Sequence, residues 1–263
     1  MLPLADMHVH LLAGLDDGPR TRGDAVAMCQ AAHAEGVRLA AALAHQNESW
    51  PAVTPAVIRA AAKQLTHDLA AAGVDLRVFP TAEVMVRPGL EDEWRAGTLM
   101  SVADRGELLL LEMPHQLFVD LRQTVAGLRR LGVRTILAHP ERTPELLHEP
   151  GAVERLIGLG CLVQVSATSV TEPPSAQDER ALRDWVRRGV VHLLGSDGHS
   201  ANRRPPRLAA AVETIARWAG PAAADRIGWA VGLAVLHGLP LRVPPPQPPG
   251  RRWWALGGLL SRT

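Results

Sequence analysis

Asp6-Met7-His8-Val9-His10 carries two imidazoles two residues apart, and Asp16-Asp17-Gly18 follows close behind. On a strand, residues two apart share a face. A short strand here would deliver both rings side by side where the chain turns. Imidazole is a common metal ligand. Taken alone, one H-x-H is as readily two ordinary histidines, and Asp-Asp-Gly alone reads as a turn. The case comes from further down the chain. His45, Glu83, Glu112, His139 and the pair Asp197 and His199 each stand where an apolar, strand-like run stops. Asp17 adds an oxygen donor, with Asp16 as its support. Imidazole and carboxylate together suit Zn, Mn or Fe better than Ca or Mg. The set exceeds what one tetrahedral ion needs, and a carboxylate such as Glu83 can bridge, so two or three ions is the natural count. Clustered ions polarise phosphoryl oxygens and make hydroxide available near neutral pH. The chemistry implied is hydrolysis, foremost of a phosphoester.

These residues need a scaffold that brings strand ends together. The sequence alternates strand-like and helix-like segments about seven times, which predicts a parallel sheet with helical crossovers. Strands are expected at Leu2 to His10, Val37 to Ala44, Leu76 to Ala82, Glu107 to Leu111, Val133 to Ala138, Cys161 to Ser166 and Val190 to Leu194. Runs such as Leu108 to Leu111 read as buried on both faces. Helices are expected between them. One runs from Arg22 to Gly36, and another is opened by Thr54 at N-cap and Pro55 at N1. In a closed β/α barrel the C-terminal strand ends meet on one face, where active sites are built. Only the sixth strand, ending at Ser166, offers no obvious ligand. His33, His67, His115, His148, His192 and His237 match no motif and are read as structural.

Composition bounds the alternatives. The 263 residues carry a net charge of +1 and are 47% hydrophobic. That gives a sizeable core and no bulk electrostatic reason to bind nucleic acid. Neither Cys29 nor Cys161 belongs to a C-x-x-C pair or heads a C-x5-R loop. Reduced thiols in a cytoplasmic protein are expected, and a cysteine-based phosphatase is excluded. The first strand begins almost at once, without a basic, apolar leader, and no apolar run reads as a membrane span. Residues 1–240 form the expected barrel. Residues 241–263 form a tail, with a stiff stretch from Pro244 to Pro249 and then Arg251-Arg252-Trp253-Trp254. The tail is read as folding back or disordered in preference to an anchor on a membrane or a partner kinase, because two arginines attract a membrane only modestly.

DMHVH, LDDG, His45, Glu83, LLEMP, AHPER and SDGH, in this order, resemble the polymerase-and-histidinol-phosphatase (PHP) superfamily. HVHLLAGLDDG, AHPER and SDGH are more narrowly similar to the metal-dependent protein-tyrosine phosphatases found with bacterial capsule and exopolysaccharide systems. The resemblance runs over roughly residues 4 to 240. It implies a distorted, TIM-like (β/α)7 barrel of the PHP type with a trinuclear divalent metal site, Mn2+ first and Fe or Zn as alternatives. One ion would sit on His8, His10, Glu83 and Asp197, a second on Glu83, Glu112 and His139, and a third on Asp17, His45 and His199. Arg142 and Arg204 match arginines that hold the phosphate. The guanidinium's planar fork suits that role. The substrate implied is a phosphotyrosyl protein, a bacterial tyrosine kinase. The alternatives are a small-molecule phosphatase of the histidinol-phosphate kind and a catalytically silent barrel that binds a partner. The sequence departs from the family at Gln46, where a second histidine is usual after His45.

Overall fold

The computed structural model describes residues 3–114, 117–149 and 151–248. Seven strands form one parallel sheet in sequence order: β1 (Leu4–His10), β2 (Val37–Gln46), β3 (Arg77–Met85), β4 (Leu108–Glu112), β5 (Arg134–Ala138), β6 (Leu162–Ser166) and β7 (Leu193–Gly195). The end of β7 then meets β1. The Asp197 amide donates to the His8 carbonyl at 2.7 Å, and the His10 amide donates to the Gly198 carbonyl at 2.9 Å. These bonds bring the sheet round into a nearly closed barrel, the TIM-like architecture that the family resemblance implies.

Helices cross between the strands: α1 (Arg22–Ala34), α2 (Pro55–Ala71), α3 (Leu90–Arg95), α4 (Arg122–Arg130), α5 (Pro144–Leu147), α6 (Ala152–Gly158), α7 (Ala167–Thr171) and α8 (Ala176–Arg188). After β7 come α9 (Ala209–Ala219), α10 (Pro221–Asp225), a π-helical turn (Arg226–Ala230) and α11 (Val231–His237). Local signals fix several starts. Thr21 Oγ accepts the Asp24 amide while Asp24 returns the bond to the Thr21 amide, a reciprocal cap on α1. Thr54 caps α2 with Pro55 behind it, as expected. Ser175 accepts the Gln177 and Asp178 amides as N-cap of α8. α7 was not signalled by any apolar period.

Alternation along each strand builds two cores and the site together. Ala40, Ala42 and Ala44 of β2, and Leu109 and Leu111 of β4, face the helices. Leu39, Ala41 and Leu43, with Leu108 and Leu110, fill the barrel. Continuing each inward row by two residues reaches His45 and Glu112. The same step from Phe79 through Thr81 reaches Glu83, and from Leu162 through Gln164 reaches Ser166. Each inward row is thus apolar below and polar at its C-terminal end. A fully buried leucine in such a row contributes roughly 2 kcal/mol. The barrel's other end is closed by Val231, Val235 and Leu236 of α11. Gly232 lets that helix approach: a Cβ there would stand 2.7 Å from Ala5 Cβ.

Of the tail, residues 241–248 are described and fold back on the barrel. Leu241 and Val243 pack against the inner core. The Arg188 side chain donates from Nε to the Gln247 carbonyl at 2.8 Å, and the Gln247 amide donates to the Arg188 carbonyl at 2.8 Å. Arg251 to Trp254 lie outside the described residues, as does His115.

Candidate metal centre

The first strand needs a device that simple alternation does not provide. In β1, Asp6 pairs with Ala40 but Val9 pairs with Ala42, so one extra residue is taken up between them. Met7 turns into the inner core, while His8 faces the carboxylate of Glu83. A bulge of this kind re-aims a side chain beside a site. It lets β1 keep an apolar residue below and still present His8 and His10 above. Asp6 holds the distortion, because its Oδ1 accepts the His8 amide at 3.1 Å and the Ser196 amide at 2.9 Å. Burial pushes the Asp6 carboxyl up to about 6.

Two further candidate ligand positions carry backbone strain. His139 and Asp197 have φ of 32° and 54°, in the left-handed region that costs non-glycine residues of order 1–3 kcal/mol each. His139 follows directly on β5 and Asp197 lies two residues past the end of β7, where the chain must turn sharply to aim a side chain back over the barrel. Gly195 serves the same end by absence. A Cβ there would lie 2.3 Å from His8 Cβ and 2.8 Å from Gln164 Nε2.

All the candidate ligands converge. Glu83 Oε2 faces His8 Nε2 at 3.3 Å, His10 Nε2 at 3.4 Å and His45 Nδ1 at 3.2 Å. Its Oε1 accepts from His139 Nε2 at 2.9 Å. Asp197 Oδ1 stands 3.5 Å from His8 Nε2 and 3.9 Å from His10 Nε2. Asp17 Oδ1 stands 3.5 Å from His45 Nε2 and 3.4 Å from His199 Nε2. Glu112 Oε2 lies 3.6 Å from His45 Nδ1. Groups of donor atoms able to surround one ion are His10, Asp17, His45 and His199; His8, His10 and Asp197; His8, Glu83 and His139; and His45, Glu83 and Glu112. Glu112 and His139 each join Glu83, but in different groups.

These donors fit divalent ions. His8 Nε2, His10 Nε2 and His45 Nδ1 are buried and have no hydrogen-bond partner, which is costly for a polar atom. Their distances to the carboxylate oxygens are too long for good hydrogen bonds. Two donors each about 2.1 Å from one ion, at octahedral or tetrahedral angles, stand about 3.0 to 3.4 Å apart. Most of the spacings above fall in or near that range. The outward sides of the rings are held as metal-binding histidines require. His8 Nδ1 donates to Gln164 Oε1 at 3.0 Å, and the amide is oriented by Gln164 Nε2 donating to the Val165 carbonyl. His10 Nδ1 donates to Asp16 Oδ2 at 2.7 Å. That carboxylate also accepts the Gly18 and His45 amides, so Asp16 acts as the expected support.

Electrostatics agree with a site built for cations. Burial pushes the Glu83 carboxyl up, but the surrounding His8, His10 and His139 outweigh it and hold Glu83 well below the usual range. Burial likewise opposes ionisation of Asp197, and His8, Arg142, His10 and Arg204 pull it far down. Hydrogen bonds from His199 and His45 hold Asp17 low. Glu112 is pushed up to about 8 by burial and by the charge of Glu83. His10 rises well above its ordinary value, since Asp16 and Glu83 overcome burial. The cluster thus draws positive charge from whatever source is present.

Both arginines reach the mouth of this cluster. Arg142 Nη2 lies 2.7 Å from Asp197 Oδ2 and donates to Ser166 Oγ at 2.9 Å. Arg142 is not paired with its neighbours Glu141 or Glu145 on the surface. Glu141 turns inward and accepts the Ser166 amide at 2.8 Å. Arg204 Nη2 is also 2.7 Å from Asp197 Oδ2. Its carbonyl accepts the His199 and Ser200 amides, which folds the loop back. Gln46 faces elsewhere: it donates to the Val53 and Thr98 carbonyls and accepts the Met100 amide. It braces loops and leaves the site to His45. Sequence reading missed Ser166, Gln164, Asp6 and Gly195. Only the inward row of β6 carried a signal, as polar residues in an apolar strand.

The model of a family described as capsular polysaccharide synthesis, CpsB/CapC, matches residues 4–237. The tyrosine-protein phosphatase YwqE of Bacillus subtilis is 28% identical over 209 residues, which cover 76% of this chain and 79% of that protein. The tyrosine-protein phosphatase CpsB of Streptococcus pneumoniae is 23% identical over 219 residues, covering 81% and 90%. A solved structure from the study of YwqE and CpsB, described there as unique metal-dependent tyrosine phosphatases, matches with a TM-score of 0.86 at 26% identity, covering 94% of this chain and all (100%) of that one. Dihydropyrimidinase from Brevibacillus agri, at TM-score 0.54 and 12% identity over 93% of this chain and 73% of that one, shares the fold alone.

Proposed function

Because this chain belongs to the capsular polysaccharide synthesis CpsB/CapC family, we propose that it is a metal-dependent protein-tyrosine phosphatase, a hydrolase of phosphoric monoesters. One observation carries the reading. Asp197 turns Oδ1 to His8 and His10, and Oδ2 to Arg142 and Arg204. A donor cluster fit for divalent ions therefore shares a carboxylate with two guanidiniums. A phosphate monoester dianion needs both.

The centre is assigned three ions, Mn2+ foremost. The first is held by His8, His10, Glu83 and Asp197, the second by Glu83, Glu112 and His139, and the third by Asp17, His45 and His199. The groupings of donor atoms contain the third set together with His10, and the first without Glu83, which joins His8 and His139 instead. The second asks Glu112 and His139 to draw together around Glu83. Ions bound here would polarise the phosphoryl oxygens and acidify water. The chain's own side chains do the rest. Arg142 and Arg204 take phosphoryl oxygens in their forks, and Ser166 Oγ orients Arg142. Gln164 and Asp16 fix the ring tautomers of His8 and His10. No cysteine competes as nucleophile: burial pushes the Cys29 and Cys161 thiols up to about 12 and about 11.

The substrate proposed is a bacterial tyrosine kinase acting in capsule or exopolysaccharide synthesis, met in the cytoplasm. Two free, buried cysteines fit a reducing compartment, and among the described residues no helix is long and apolar enough to cross a membrane. Residues 1–240 are taken as the catalytic barrel and 241–263 as an appendage. The test is metal analysis paired with assays on a phosphotyrosyl peptide and on histidinol phosphate. Chelation should abolish peptide hydrolysis, and Mn2+ should restore it. Full activity in metal-free protein would refute the metal reading, and preference for histidinol phosphate would move the enzyme to small-molecule substrates.

A further inference from the structure

A phosphoryl group held at Arg142 and Arg204 leaves the rest of its substrate outside the centre, against the rim of the barrel. Two neighbouring rim segments start from the centre itself. The β4–α4 segment follows Glu112, and the segment carrying α5 and α6 follows His139 and Arg142. Between them runs a groove of about 690 Å³, bordered by Phe118 on one side and by Pro144, Leu146, Ala152 and Leu156 on the other. It contains none of the metal ligands, and it begins two residues beyond Arg142.

The groove is lined where apolar surface is otherwise scarce. Among the described residues, large apolar side chains are exposed at Val57, Leu117, Phe118 and Leu239. Two of these are adjacent here, Leu117 at 65% and Phe118 at 44% exposure. Contiguous exposed apolar surface rimmed by polar residues marks interaction sites. The charges around it are mixed, with Asp120, Glu145 and Glu149 beside Arg122 and Arg155. An anionic membrane or a polyanion would ask for a basic surround. A polypeptide segment does not.

We infer that this groove receives the polypeptide flanking the phosphotyrosine, by an apolar side chain seated against Phe118. The inference rests on the phosphotyrosyl-protein reading of the centre. It adds a specificity surface that a small phosphorylated metabolite would not use.

The test compares p-nitrophenyl phosphate with two phosphotyrosyl peptides, one flanked by leucines and one by serines, on the Mn2+-loaded full chain. For wild type, KM should be lower for the leucine peptide. Phe118→Asp and Phe118→Ser should each raise KM for that peptide about tenfold, the size expected of one buried apolar side chain. Both should leave kcat/KM for p-nitrophenyl phosphate within about twofold, and Phe118→Leu should behave as wild type. Equal loss on both kinds of substrate, or no change on either, would overturn the groove assignment while leaving the phosphatase reading intact. If sedimentation showed that Phe118→Asp dissociates a dimer with peptide KM unchanged, the surface would belong to a second copy of the chain and the inference would fall. A wild-type protein inert toward p-nitrophenyl phosphate would remove the reading of the centre, and the groove assignment with it.

Discussion

Removing Arg142 tests whether the mouth of the centre holds phosphate. Its Nη2 touches both Asp197 Oδ2 and Ser166 Oγ, and Arg204 reaches the same Asp197 oxygen. The Arg142 and Arg204 side chains are 41% and 51% exposed, so each can swing from the carboxylate to a substrate oxygen. A fixed cation aimed at a transferring phosphoryl group is worth about 3 kcal/mol. At 1.36 kcal/mol for each factor of ten, that is roughly a hundredfold. Arg142→Ala should therefore lose roughly a hundredfold in kcat/KM on a phosphotyrosyl peptide. Metal content should stay near normal, because Arg204 and the ions keep Asp197 ionised. Arg142→Lys should recover only part, since a lysine lacks the fork. The two arginines share one oxygen, so their effects should not add. Arg142→Ala with Arg204→Ala should lose more than the product of the single losses, by a coupling of about 0.5–3 kcal/mol. Steady-state kinetics beside metal analysis of the same samples decides the matter. Near-wild-type kcat/KM in Arg142→Ala, or a loss that merely tracks missing metal, would refute the argument.

Other perturbations probe the frame around the ions. Glu83→Gln removes a charge from a carboxylate facing His8, His10, His45 and His139, so both bound metal and turnover should fall; retention of both would refute a bridging role. Gly195→Ala drives a Cβ into His8, which should cost roughly 1–3 kcal/mol of stability in a urea titration and weaken metal retention; an unchanged midpoint would mean that β7 relaxes freely. His192 accepts the Val163 amide at Nδ1, and burial, aided by Arg226 and Arg134, holds its pKa down at about 4 against an ordinary 6.5. The unfolded chain binds the extra proton between those values, so this residue's contribution is complete above pH 6.5 and is lost as pH falls toward 4, by roughly 3 kcal/mol. His192→Asn should flatten that part of the stability profile relative to wild type, and parallel profiles would refute the assignment.

The order of elements and the polar strand ends that carry the candidate ligands were legible because both depend on local periodicity. An apolar row that ends in His45, Glu83 or Glu112 is visible within one strand. What was not legible depends on contacts between distant segments. The bulge in β1 is defined only against β2. The hydrogen bond from His8 to Gln164 spans 156 residues, and Gly195 matters only because both of those side chains occupy its space. The sixth strand looked empty because its end supplies no ligand, yet Gln164 and Ser166 hold His8 and Arg142. Arg142 was expected to face phosphate, but its contact with Asp197 required the left-handed turns at His139 and Asp197. Of the sequence departures, Gln46 proves to be a loop brace, which its position beside His45 did not reveal.

The barrel closes through the peptide groups of His8, His10, Asp197 and Gly198, whose side chains include candidate ligands. The joint that completes the cylinder is thus the same chain that would grip the proposed ions. Parting it would pull His8 and His10 away from Asp197, and losing the ions would leave buried carboxylates and imidazoles straining at it. Solvent exchange of the Asp197 and His10 amides should therefore slow sharply when ions bind, more than exchange in the β4–β5 ladder. Chelators would then act on this protein less as inhibitors than as agents that unfasten its cylinder, exposing the first strand to proteases.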